Sequence, residues 1–253
     1  MQSGNSLLER LPRDSVTLKP IEPLGRAIRL FLYMFSPATL LEFDWRIFFQ
    51  KCLWLGWQSF PLIALSSIFV AGALTIQTVN EMRAFRAQDL SGAVISLGLL
   101  REIGPLTVSL AWSARVAALL ADESKWMGHM PDAQFARQFI FPRYVAGLLM
   151  SVPLSGYGLV IGFATACIWA PILGVSSSND FLQSARVAID DKDLVVYFVK
   201  LILLNPTVAC FAGCAIGRLS RANDKAVAAN AVTAMFIAAC ITNLIYTFIM
   251  YPH

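Results

Sequence analysis

Charge is what this chain has least of. Asp, Glu, Lys and Arg make up 14% of its 253 residues, hydrophobic residues make up 57%, and mean hydropathy is +0.62. Soluble domains carry roughly 25% charged residues, so the balance excludes a soluble globular fold and indicates a polytopic membrane protein. Histidine is nearly missing as well. His129 and His253 are the only two, which argues against a metalloprotease or a His-based hydrolase. No Gly-x-x-x-x-Gly-Lys-Ser/Thr occurs, so no P-loop binds nucleotide here and any ATPase must be a separate subunit. Nucleic-acid motifs are absent, and the +4 net charge is the one expected of cytoplasmic loops that face anionic headgroups. Met1 to Pro23 is polar and lacks an apolar h-region, so no secretory signal is expected there. The five cysteines fall within or at the edge of apolar segments, and Cys210 and Cys214 share a helix face without a His or carboxylate at ligand spacing. They read as small core residues, and neither metal nor cofactor is expected.

Long apolar runs are what is there. A spanning helix needs ~20 residues, and segments from about Leu53 to Val79, Leu90 to Ala121, Tyr144 to Leu173, Leu194 to Ile216 and Ala226 to Tyr251 meet that length. Before the first lie Arg10, Arg13, Lys19, Arg26, Arg29, Arg46 and Lys51, which predicts a cytoplasmic N-terminus by the positive-inside rule. The second loop, with Lys125, Arg137 and Arg143, and the fourth, with Arg218, Arg221 and Lys225, are then cytoplasmic. In the third loop Asp180, Asp190, Asp191 and Asp193 outnumber Arg186 and Lys192, as suits the outer side. Five spans leave His253 outside.

From Ala27 to Phe49 the chain is amphipathic, with a Ser36-Pro37 helix start and Leu40, Leu41, Trp45, Phe48 and Phe49 following. Such a helix lies in the membrane interface or packs on the outside of the bundle. The predicted fold is an all-α integral membrane protein, five transmembrane helices preceded by this amphipathic interfacial helix. Residues 1–51 form a cytoplasmic or interfacial segment and residues 52–253 the transmembrane domain.

Arg101-Glu102-Ile103-Gly104-Pro105 interrupts the second apolar segment. A charge near a bilayer centre costs at least ~2.5–3.5 kcal/mol, so such residues face a protein interior or a water-filled cavity. Neighbours on a helix point about 100° apart, so Arg101 and Glu102 are expected to have separate partners. The plainer reading is a loop between two short helices with Gly104-Pro105 as the break.

Several stretches resemble the MlaE-type permeases of lipid-transporting ABC systems. Leu99-Leu100-Arg101-Glu102-Ile103-Gly104-Pro105 looks like the family hallmark; Ala114-Arg115 stands where Gly-Arg is usual, Glu123 follows Arg115 at the family's spacing, and Met127 is in register. Ser66 to Gly72 with Thr75-Ile76-Gln77, Pro142-Arg143, Lys200, and Cys214-Ala215-Ile216-Gly217 add support. The resemblance covers roughly Ser59 to Tyr251. It implies a permease that moves phospholipid or other hydrophobic lipid between a membrane and an external MCE-domain carrier. A second copy of the chain and separate ATPase subunits are its implied partners. The bacterial inner membrane is the implied location, with the plastid inner envelope as the alternative. Candidates for lining a lipid cavity are Arg101, Glu102, Gln77, Lys200 and Asn243, while Gly104, Pro105, Arg115, Pro142 and Arg143 are expected to be structural.

The chain departs from the family at its cytoplasmic loops. The family's Glu-Gln-Ile-Asp-Ala-Leu stretch is missing after Glu123, replaced by Ser124 to Asp132. Glu123, Lys125, Trp126, Met127, Met130 and Asp132 are then the candidates for gripping an ATPase, with Trp126 alternatively anchored at the headgroups. Ala222 to Ala228 replaces a Gly-rich loop, and Asn243 stands where some relatives carry Asp. Two other classes stay open. One is an ion-coupled carrier acting alone, with Glu102 as the coupling carboxylate. The other is a non-transporting scaffold that has lost ATPase coupling.

Overall fold

A computed structural model of the chain describes residues 21–34, 45–175, 177–220 and 224–250. All regular structure among them is helical, and five helical runs are long and apolar enough to cross a membrane. The Ser36-Pro37 helix start, Leu40 and Leu41, Arg221, Tyr251 and His253 lie outside the described residues.

The first helix, α1 (Ile21–Met34), has two apolar stripes. Leu30 and Met34 are buried, and Phe31 packs edge-on against Phe211 with ring centroids 5.1 Å apart, whereas Leu24, Ile28 and Leu32 are exposed. The helix therefore packs on the bundle and keeps a second apolar face outward. The first span joins α2 (Trp45–Lys51) to α3 (Phe60–Ala84) through a wide turn at Cys52–Gly56 and a tight one at Trp57–Ser59. The boundary expected at residue 51 lies inside this continuous helical run.

The second span consists of α4 (Ser91–Arg101) and α5 (Ile103–Ser124), the third of α6 (Phe141–Ile172), entered through a wide turn at Phe135–Ile140. Helix α7 (Ser178–Ala188) follows and packs along α4. The fourth span is α8 (Asp191–Val199) and α9 (Asn205–Leu219) around a wide turn at Lys200–Leu204, and the fifth is α10 (Val227–Met250).

Proline explains where these spans turn irregular. Pro61, Pro105, Pro142 and Pro206 each stand in the first turn of an α-helical limb, just after a wide turn, a tight turn or a break. Proline is tolerated there because the first turn's N–H groups have no intrahelical partner. The turn before it loses a donor, and in lipid that donor must come from a neighbouring helix. Near two of these prolines side chains also bond the backbone: Trp112 Nε1 donates to the Leu55 carbonyl at 3.1 Å, and Arg143 to the Phe139 carbonyl of its own helical run at 2.9 Å.

Helices α5 and α9 pack closely. A Cβ added at Gly213 would stand 2.7 Å from the Ala117 carbonyl oxygen, and one at Gly217 2.5 Å from that of Ala121. Small residues four apart on both helices let the backbones approach this closely, which is how spanning helices associate without a hydrophobic drive.

The third loop differs from the expectation. Its residues form helix α7 followed at once by α8, which begins three residues before the predicted Leu194. The cause is local: Asp190 and Asp193 form a capping box that satisfies the first N–H groups of α8.

Candidate functional site

The Arg-Glu-Ile-Gly-Pro stretch breaks the second span at one residue. Glu102 has φ −130° and ψ −60°, outside the helical region, while helix runs up to Arg101 and resumes at Ile103. No loop intervenes, and the break precedes Gly104-Pro105 rather than falling on it. Gly104 is required by contact, since a Cβ there would lie 1.9 Å from the Leu99 carbonyl oxygen. Of the two limbs, α4 has 11 residues and α5 has 22, and only the longer suffices to cross a ~30 Å hydrocarbon core. The break therefore stands toward one end of the crossing, not at its centre.

Around it the structure assembles charges from two spans and neutral polar groups from a third. Arg101 donates to both carboxylate oxygens of Asp193, at 2.8 and 3.2 Å, and the Asp193 side chain is 1% exposed. Such a fork-to-carboxylate pair is strong and directional. Lys200, also 1% exposed, donates to the Arg101 carbonyl and to Thr247 Oγ1, both at 2.8 Å, and lies 3.5 Å from Glu102 Oε1. Thr247 in turn donates to the Asn243 carbonyl at 3.0 Å, while Asn243 Nδ2 bonds back to Ala239 on its own helix. The Glu102 side chain is 52% exposed. The arrangement presents one reachable carboxylate backed by a buried ammonium and a half-buried ion pair.

Of the candidate cavity residues, Arg101, Glu102, Lys200 and Asn243 thus meet at one place. Gln77 does not join them: it is exposed on α3. A narrow cavity of about 20 Å³ lies behind Gly104, Leu99, Thr107 and Tyr197, room for about one water. None of the five candidates lines it. Sequence reasoning missed Asp193 and Thr247. Asp193 was counted with the outer loop, although Asp190-x-x-Asp193 before an apolar run is a helix-start signal that placed it on α8.

A second polar cluster sits at the far end of α5, about 33 Å away at 1.5 Å per residue over its 22 residues. Glu123 accepts from Lys51 and, at 3.0 and 3.1 Å, from Arg143. Arg143 also lies 3.7 Å over the Phe139 ring, and Lys51 4.1 Å over Trp54. Arg218 bonds the Met127 and Met130 carbonyls and the Asp132 carboxylate at 2.6 Å, and stacks over Phe135. Met127 and Met130 pack against the main core, whereas Trp126 is 59% exposed. Lys125 pairs with Asp122 one turn back. Of the coupling candidates, then, Glu123 and Asp132 are held in ion pairs within the chain and Trp126 alone projects as a large apolar side chain.

The family-motif residue Arg115 bonds Ser59 Oγ at 2.7 Å and Gln58 Oε1 at 2.6 Å, tying α5 to the first span. Pro142 is buried at the start of α6. Among the described residues no group of three or more His, Cys, Asp or Glu side chains could hold a metal ion.

Comparison with known proteins agrees with this architecture. Over 212 residues the chain is 24% identical to a probable ABC transporter permease protein of Rickettsia felis, covering 78% of this chain and 82% of that one. It is 25% identical over 208 residues to a probable ABC transporter permease protein of Synechocystis, covering 78% and 79%. Over 172 residues it is 27% identical to the intermembrane phospholipid transport system permease protein MlaE of Haemophilus influenzae, covering 62% of this chain and 64% of that protein. Residues 48–250 match the family model described as Permease MlaE, and with the five spans and the broken second helix in place, the chain belongs to the MlaE permease family.

Proposed function

We propose that this permease subunit moves phospholipid or another hydrophobic lipid between its own membrane and an MCE-type carrier on the outer side. The observation that carries the reading is the half-exposed Glu102 at the helix break, backed by the buried Lys200 and the Arg101–Asp193 pair. A polar headgroup finds charged partners there beside apolar helix faces, and the relative from Haemophilus influenzae is a phospholipid transport permease by name. The cavity of about 20 Å³ behind the break is far too small for a lipid, so the lipid path opens by helix movement or between chains. Two copies of the chain work with separate ATPase subunits, in a bacterial inner membrane, with the N-terminus and the Trp126 loop cytoplasmic and Asp190 outside. The work is alternating exposure of a lipid path, without covalent chemistry in this subunit. Trp126 is the anchor offered to the ATPase, since aromatic side chains dominate interface hot spots.

The test is lipid transfer in proteoliposomes holding all subunits copurified from native membranes. Arg101→Ala and Glu102→Ala should lower transfer more than they lower assembly. Normal transfer by a fully assembled double variant would assign the pair to structure alone. If the wild-type chain copurifies without any ATPase, the ATP-driven reading fails.

A further inference from the structure

Lys200 stands where a charge is least expected, 1% exposed on a spanning helix, and its nearest partner is not an acid. At 2.8 Å its ammonium bonds the Arg101 carbonyl, closer than the 3.5 Å to Glu102. That carbonyl has a particular history. In an unbroken helix it would accept from the N–H of the residue four positions on, which is Pro105 and has none. The backbone bonds around the break skip it: Glu102 N–H goes to the Gly98 carbonyl at 3.4 Å, and Leu106 N–H to the Glu102 carbonyl at 3.0 Å. Arg101 is also the last residue of α4, so its carbonyl belongs to the helix end that lacks intrahelical donors.

We infer that Lys200 is a positioning residue: it supplies the donor that Pro105 removes, and so holds the break that presents Arg101 and Glu102. Inside a membrane protein a carbonyl freed by proline takes its donor from another group, a neighbouring helix among them. The bond crosses from the fourth span to the second, and Thr247 ties the same ammonium to the fifth. One side chain thereby fixes three spans at the discontinuity. Only the transfer arm below rests on lipid being the substrate.

The experiment separates a backbone donor from a counter-ion. Lys200→Gln keeps an N–H donor and loses the charge; Lys200→Met loses both. Lys200→Met should lower thermal stability and yield of the purified permease and reduce lipid transfer about tenfold, the consequence of one unsatisfied buried carbonyl. Lys200→Gln should keep the melting temperature and yield of wild type, since a neutral donor serves the carbonyl as well. Pro105→Ala placed in the Lys200→Met background restores a backbone N–H and should restore melting temperature and yield, even where the Lys200→Met chain alone cannot be recovered. Either of two results overturns the inference: Lys200→Gln falling as far as Lys200→Met in melting temperature and yield, or Pro105→Ala restoring nothing. The melting and yield arms contain no lipid-transfer step, so they stand or fall apart from the transport reading.

Discussion

The two ends of α5 carry polar clusters of opposite design. At the end that the proposed topology puts on the inner side, Glu123 is shared by Lys51 and Arg143, and Arg218 holds the Met127 and Met130 carbonyls together with Asp132. The cations there are sealed, with side-chain exposures of 11%, 10% and 7%, and each also faces an aromatic ring. At the end that this proposed topology puts on the outer side, the charges gather on a broken backbone, and Glu102 is left 52% exposed. The inner cluster fastens helix ends and a short loop into one surface. The outer one balances charge around a discontinuity and leaves a carboxylate reachable. Sealed pairs hold geometry, while an open carboxylate on a break can exchange partners.

Removing the shared carboxylate should break the inner cluster outright. Glu123→Ala leaves Arg143 and Lys51 without their anion in a largely buried setting, and breaking such a pair costs about 3 kcal/mol or more. The expected outcome is a large loss of folded, monodisperse protein on size exclusion. Glu102→Ala, at the half-exposed end, should leave that yield nearly unchanged. Equal losses from the two variants would erase the distinction between the clusters.

A smaller effect is expected from Gly104→Ala. The added methyl would press on the Leu99 carbonyl, and forcing such an overlap costs about 2 kcal/mol. A lowered melting temperature with the inner ion pairs intact is the predicted result; an unchanged one would mean that the break is looser than its contacts indicate. The smallest change in stability belongs to Trp126→Ala, within about 0.5 kcal/mol for an exposed side chain. Its effect should show instead in ATPase copurification, because an anchor residue of this kind contributes about 2 kcal/mol to an interface. Retained ATPase would place Trp126 at the headgroups instead.

Much of this architecture was legible beforehand. Span number and approximate position follow from run length and hydropathy, and the predicted segments overlap the five helical runs. The disturbance at Arg101 to Pro105 was legible too, because proline and glycine act on their own backbone. Less could be read of the third loop: counting its aspartates as outer charge hid that Asp193 is buried against Arg101, 92 residues away. The N-terminal amphipathic stretch pointed equally to the interface and to the bundle, and α1 has a buried face on the bundle and a second apolar stripe outward.

By itself the sequence determined the class of protein, the number of its spans, the region of the break and the family resemblance, since each depends on residues close together in the chain. Only the tertiary structure decided that Lys200 reaches a carbonyl 99 residues away, that Arg218 grips the Trp126 loop, and that Glu102 rather than Arg101 or Lys200 is left most open. Those pairings depend on how each helix is rotated and on its depth against its neighbours. Rotation and depth are set by packing, such as the glycine-lined contact of α9 with α5, and packing is a property of helices together rather than of any one run of residues.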